Sequence, residues 1–225
     1  MDLHTIESAA APILCIDTCS ILDVMRDPTR ETAKPHDRQA AIDLVIAAEA
    51  GNLVLLMAEQ VEIEFAEHDQ AVQDEAERNL KKLVEQVKRL DKLSTVYGAQ
   101  GAVSLRHLSD HVPRARKIVE RWLAQLQKVR TSHLAPGKAF ARVNAGLAPA
   151  KRGKESSKDC LIYETYLEVV GALRDAGVRA KIVFLSSNIH EYLTGVLRPE
   201  IADDFGKLNV VYASNMSAAK HALGI

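Results

Sequence analysis

The chain has 225 residues, 47% of them hydrophobic, enough for one sizeable core, and it should fold as a single globular unit spanning 1–225. Lys plus Arg number 29 against 30 Asp plus Glu, and this net charge of -1 argues against a nucleic-acid binder that works by bulk charge, so any such contact must be local. No apolar run approaches the roughly 20 residues that cross a bilayer, and the start Met1-Asp2-Leu3-His4 is acidic rather than the basic opening of a signal peptide, which predicts a cytoplasmic protein with no membrane partner.

Pro12-Ile13-Leu14-Cys15-Ile16 is a continuous apolar run of the kind a buried parallel strand requires, and it stops on Asp17. A carboxylate where a strand leaves the sheet marks a candidate site, because ligands of open α/β sheets bind beyond the strands' carboxyl ends. The simpler role for Asp17 or Thr18 is to cap the short helix predicted over Ser20–Arg26. Asp27-Pro28 breaks that helix, Ala40–Ala50 reads as the next one with Gly51-Asn52 at its C-cap, and Leu53–Ala58 is a second apolar strand. From Glu59 to about Tyr97, and again from about Val103 to Val129 with an interruption at Pro113, apolar residues recur at helical spacing among charges. The two segments predict an antiparallel helical hairpin, residues 66–130, inserted into the α/β core.

Periodicity fades between Thr131 and Lys158, where Pro136-Gly137-Lys138 and Pro149-Ala150-Lys151-Arg152-Gly153-Lys154 read as a basic loop. A helix over Lys158–Arg174, a third strand at Lys181–Ser186, a helical turn from Ser187, a last strand at Asn209–Ala213 and a short helix over Met216–Leu223 follow. Four apolar strands alternating with helices predict a three-layer α/β/α sandwich around a parallel sheet. Cys15, Cys19 and Cys160 form no CxxC pair and read as reduced side chains. Trp122 reads as a core or interface anchor. His107 and His111, four apart, read as solvent-facing rather than metal-binding.

Helices that follow parallel strands begin at the strands' carboxyl edge, so distant acids can meet there. Asp17 ends the first strand, Asn188 and Glu191 follow the third, Asp159 opens the helix between, and Glu59, Glu62 or Glu64 comes from the helix after the second. Clustered carboxylates raise one another's pKa unless a cation neutralises them. An oxygen-only donor set suits Mg²⁺ or Mn²⁺, which keeps bound waters and can activate one for phosphodiester hydrolysis.

The segments Ile16-Asp17-Thr18-Cys19-Ser20-Ile21-Leu22, Val61-Glu62-Ile63-Glu64-Phe65, Lys158-Asp159-Cys160-Leu161 and Val183–Tyr192 resemble, in order and context, the acidic motifs of PIN-domain nucleases, and the long hairpin is similar to that of the larger PIN-like branch. The resemblance implies a Mg²⁺- or Mn²⁺-dependent endoribonuclease with Asp17, Glu64 and Asp159 as catalytic and metal-binding acids, and Glu191, one turn beyond Asn188, reads as a further catalytic and metal-binding acid that supplies the charge missing there. The resemblance also implies that RNA, less often DNA, is held by Lys151, Arg152, Lys154 and Lys158; Ser186, in a hydroxyl-rich turn, reads as orienting a water at the substrate or capping the next helix. Where the family commonly has Thr-x-Asp, this chain has Ser186-Ser187-Asn188; Asn188 can coordinate through its carbonyl oxygen but adds no charge. A catalytically silent RNA- or protein-binding PIN-like module is therefore the second reading. The toxin of a toxin–antitoxin pair, with an antitoxin-like partner, is a third, and self-association is also compatible with the sequence. A haloacid-dehalogenase-like phosphatase needs a second Asp two residues after the first, where this chain has Cys19.

Overall fold

The computed structural model describes residues 11–151 and 156–225. β1 (Ile13–Ile16) leads into α1 (Thr18–Asp23) and α2 (Pro35–Glu49), and β2 (Val54–Ala58) runs straight into α3 (Glu59–Val96). A 3-10 turn (Arg106–Leu108) and α4 (His111–Gln125) return the chain to β3 (Leu126–Val129), followed by α5 (Ala135–Ala145) and α6 (Ser157–Asp175). β4 (Ile182–Leu185), α7 (Ile189–Tyr192), α8 (Pro199–Leu208), β5 (Val210–Ala213) and α9 (Met216–Leu223) come last.

The strands form one parallel sheet in the order β3-β2-β1-β4-β5. β1, β2 and β4 are buried at every residue, as their unbroken apolar runs predict for strands covered on both faces. The chain winds outward from β1 to β2 and β3, then returns to lay β4 on the other flank of β1, so the winding reverses between β1 and β4. In open α/β sheets that reversal leaves a crevice at the carboxyl ends. Asp17 and Ser186 are the first residues past those two ends.

The predicted hairpin is present: α4 runs antiparallel to α3, with Val112 buried beside Ala76 and Leu80, and Arg116 pairing with Asp69 (3.0 Å) and lying over Phe65. Its end differs from the expectation, since residues 126–129 leave the helix and pair with β2 as an edge strand. Leu126-Gln127-Lys128-Val129 has no apolar run to announce a strand, and an exposed Lys on an edge is what discourages further strands from adding there. A second correction lies in the predicted basic loop, where residues 135–145 form α5. Pro136 and Gly137 sit in the helix's first turn, where the missing proline N–H costs nothing, and Gly146 ends the helix at φ 65. Helix α8 has no counterpart in the sequence reading; Ile201 and Phe205, one turn apart, are its buried face. The predicted anchor Trp122 is fully buried, its indole N–H donating to Ala41 O (3.0 Å) and docking α4 on α2.

A buried ion network fixes α6. Arg142 of α5 bonds Glu164 of α6 (2.6 Å) and Asp204 of α8 (2.8 Å), donates to Ala148 O (2.6 Å), and stacks 4.6 Å over the Tyr163 ring. Below it Tyr163, Phe184, Tyr192 and Phe205 pack ring against ring, tying α6, β4, α7 and α8 together beneath the carboxyl edge.

Candidate active site

Asp17 N–H closes the β1–β4 ladder on Leu185 O (2.9 Å), and the residue then takes the extended conformation of a helix N-cap. Its Oδ1 accepts the Thr18 N–H (2.7 Å), so the simpler capping role is realised. Its Oδ2 accepts the Ser186 hydroxyl (2.6 Å) and the Cys19 thiol (3.3 Å), joining the ends of β1 and β4 across the crevice. Ser186 is itself pinned, its carbonyl accepting the Tyr212 hydroxyl (2.7 Å), while Ser187 N–H donates to Ser20 Oγ (3.0 Å). Asp17 is 5% exposed, and burial, opposed by these bonds and reinforced by the charge of Glu191, holds its carboxyl above the usual range.

Glu64 sits in the second turn of α3. Its Oε2 accepts the Thr18 hydroxyl (3.0 Å) and its Oε1 the Gln60 amide (3.3 Å). Burial, with a contribution from Asp17, raises its pKa, and Lys158 opposes the rise. Glu59 and Glu62 turn elsewhere: Glu62 pairs with Lys128 (2.5 Å) on β3, and Glu59 accepts Thr131 N–H (3.3 Å). Of the three acids, only Glu64 joins Asp17. Thr18 thus bridges two acids, one through its amide and the other through its hydroxyl. Sequence reasoning treated it as no more than a cap, although an Asp-Thr pair at a strand end is the visible signal.

Asp159 lies half-buried in the first turn of α6, and Glu191, 2% exposed, in α7. Burial raises the pKa of Tyr192, and the charges of Asp17, Asp159 and Glu191 raise it further. Asn188 is the N-cap residue of α7; its N–H donates to Ser186 Oγ (3.3 Å) and its carbonyl accepts Glu191 N–H (3.2 Å). Lys158 pairs with Glu67 (2.9 Å), and Lys151 has an exposed side chain with its N–H on Ser156 Oγ (3.1 Å). Arg152 and Lys154 lie outside the described residues. His107 stands in the 3-10 turn and His111 opens α4, far along the chain from these acids.

Tyr166, two turns beyond Asp159 on α6, was not anticipated. Its hydroxyl donates to Ile16 O (2.7 Å), with Leu56 O at 3.1 Å, and accepts Ala58 N–H (2.9 Å). One buried oxygen therefore holds together the residue before Asp17, the residue before α3, and the helix that carries Asp159.

These side chains fit a hard divalent cation in donor type and charge. The acids offer oxygen only, and the bonds to Asp17 and Glu64 come from hydroxyl, thiol, amide and backbone N–H rather than from a charged donor. They do not converge, however. Among the described residues no three His, Cys, Asp or Glu side chains gather closely enough to hold an ion. Like charges repel, and Asp17 and Glu64 are each turned onto neutral donors with Thr18 between them, so a shared ion requires these hydroxyls to give way.

A sequence profile of the PIN domain family matches residues 14–192, which takes in Asp17, Glu64, Asp159, Asn188 and Glu191. No curated protein and no solved structure matches the chain. PIN domains are generally nucleases and typically use divalent metals. The parallel sheet, the acid at the end of β1 and the matched span together place this chain in the PIN-domain family.

Proposed function

We propose that the protein is an endoribonuclease that hydrolyses RNA phosphodiester bonds with Mg²⁺ or Mn²⁺. Asp17, Glu64, Asp159 and Glu191 would hold the ion, with the Asn188 side-chain oxygen at its edge. The observation that carries this reading is the Asp17–Ser186 hydrogen bond across the β1/β4 crevice, with Glu64 tied to the same acid through Thr18. A bound dication would lower the pKa of a water so that it can give up a proton and attack phosphorus, and would neutralise charge on the phosphoryl oxygens. Thr18 and Ser186 orient the carboxylates, and Lys151, Arg152, Lys154 and Lys158 position the strand by its phosphates without reading sequence. Aromatic content of 4% leaves little for base stacking, so phosphate contacts dominate. We place this activity in the cytoplasm; no described helix is long and apolar enough to cross a membrane.

The test is labelled RNA incubated with Mn²⁺ and the wild type, Asp17→Asn or Asp159→Asn, with a chelator control. Chelator-sensitive cleavage that falls to background in both variants supports the reading; cleavage that persists unchanged in both defeats it. A silent RNA- or protein-binding module is the second reading, favoured by the amide at Asn188 and by the acids' failure to converge. On that reading folded protein neither cleaves nor binds Mn²⁺. A toxin with an antitoxin-like partner remains the third.

A further inference from the structure

A cleft of about 570 Å³ reaches Ser187, the residue after the Ser186 that bonds Asp17. It is bordered by Ser20 and Asp23 on α1, by the first turn of α2, and by Ser187 and His190 after β4. Thr18 carries the contact to Glu64, whereas Ser20, on another face of α1, accepts Ser187 N–H; Ser187 follows the Ser186 that bonds Asp17. The cleft therefore begins one residue from the Asp17–Ser186 bond.

Four cations line it, Arg26, Arg30, Lys34 and Arg38, with Asp23, Asp27 and Asp37. The acids are already occupied. Asp23 pairs with Arg26 (2.6 Å); Asp27 accepts the Thr29 N–H and hydroxyl and the Asn79 amide; Asp37 accepts Ser217 N–H (3.2 Å) at the start of α9. Arg30 is held by Glu75 outside the cleft (2.6 Å). Among the described residues this leaves Lys34 and Arg38 with no carboxylate within 4.0 Å, and the Arg38 guanidinium donates only to Arg26 O (3.2 Å). Arg38 is half-buried, and desolvation outweighs the more distant Asp23 and Asp37 in setting its pKa below the usual arginine value. The first turn of α2, which no side chain caps, borders the same space with the positive end of a 15-residue helix. A half-buried guanidinium with no carboxylate in ion-pair contact, an exposed ammonium and an uncapped helix end call for an anion.

We propose that the cleft is a phosphate subsite for the nucleic-acid strand, holding through Arg38 and Lys34 a backbone phosphate next to the bond at the acids. It rests on the nuclease reading for the strand's identity, but binding is measurable apart from cleavage. The probe is a fluorescein-labelled oligo(U) of about a dozen nucleotides, titrated in EDTA by anisotropy over a salt series. Arg38→Gln and Lys34→Gln should each weaken binding about 3–10-fold and lower the salt slope by about 0.7, the value for one single-strand phosphate contact. Lys92→Gln, at the exposed far end of α3, should change neither. Should Arg38→Gln fail to fold, Lys34→Gln, whose side chain is exposed, decides the matter. Unchanged affinity and slope in the folded variants overturn the proposal. So does a site for free phosphate alone, shown by inorganic phosphate raising the melting temperature of wild type but not of Arg38→Gln while RNA affinity stays equal. Weakened binding without Mn²⁺-dependent cleavage by wild type would sink the nuclease reading and leave the subsite standing. Cleavage with unaltered binding would do the reverse.

Discussion

Tyr166→Phe keeps the ring and removes one buried oxygen, so it isolates the hydrogen bonds that join the three acid-bearing segments. Ala58, whose N–H donates to that oxygen at 2.9 Å, is fully buried, and a stranded buried donor costs about 1–3 kcal/mol. Ile16 O loses its 2.7 Å donor as well, at a smaller cost because a carbonyl keeps a second lone pair, which brings the total to roughly 2–4 kcal/mol. For a chain of this size that corresponds to a melting point lower by about 4–16 °C. Urea unfolding followed by far-UV circular dichroism gives the number directly. The variant should also bind Mn²⁺ more weakly than wild type, because Ile16 and Ala58 are the anchors of Asp17 and of α3. A loss under about 0.5 kcal/mol, the scatter of ordinary surface substitutions, would refute the reasoning.

Other expectations follow from the same contacts. In Arg142→Ala, Glu164 (8% exposed) and Asp204 lose their shared cation, and breaking such a pair costs about 3–5 kcal/mol by chemical denaturation; a loss below about 1 kcal/mol would show that the network contributes little. Asp17 titrates higher in the folded protein than in the unfolded chain, so between the two values the folded state binds more protons and stability falls as pH rises through that window. Metal-free Asp17→Asn should therefore gain on wild type as pH rises from acid toward neutral, read from urea midpoints; a difference that is flat or of opposite slope contradicts the raised pKa. Glu64→Gln should depress RNA cleavage while Glu62→Gln, which only frees Lys128, leaves it near wild type; equal effects would mean that the two acids are not distinguished as the geometry has them.

The sheet's centre was legible because its strands are covered on both faces, and such burial writes itself as continuous apolar runs. The edge strand β3 was not, since half its residues face solvent, and Gln127-Lys128 reads as the continuation of a helix. Pro136-Gly137 misled in the same way: the pair signals a turn unless the residues sit in a helix's first turn, and only the packing of Ala135 and Ala139 decides that. At the acids, the sequence put Asp17 at a strand end, as observed, and left Glu62 open beside Glu64, separated by about 200° on a helix. Glu64 and not Glu62 accepts the Thr18 hydroxyl, a tertiary contact with no local signature. Tyr166 was invisible for the same reason, as its partners are backbone atoms more than a hundred residues away. Arg38 gave no signal either, because a cation's want of a counter-ion is a property of the folded neighbourhood.

The central proposal is that one divalent ion draws together the acids that follow β1 and that α3, α6 and α7 carry. Calorimetric titration of metal-free wild type, Asp17→Asn and Asp159→Asn with Mn²⁺ tests it most directly. The account predicts saturable binding to the wild type and a loss in each folded variant; undiminished affinity in either one would show that Asp17 and Asp159 do not hold the same ion.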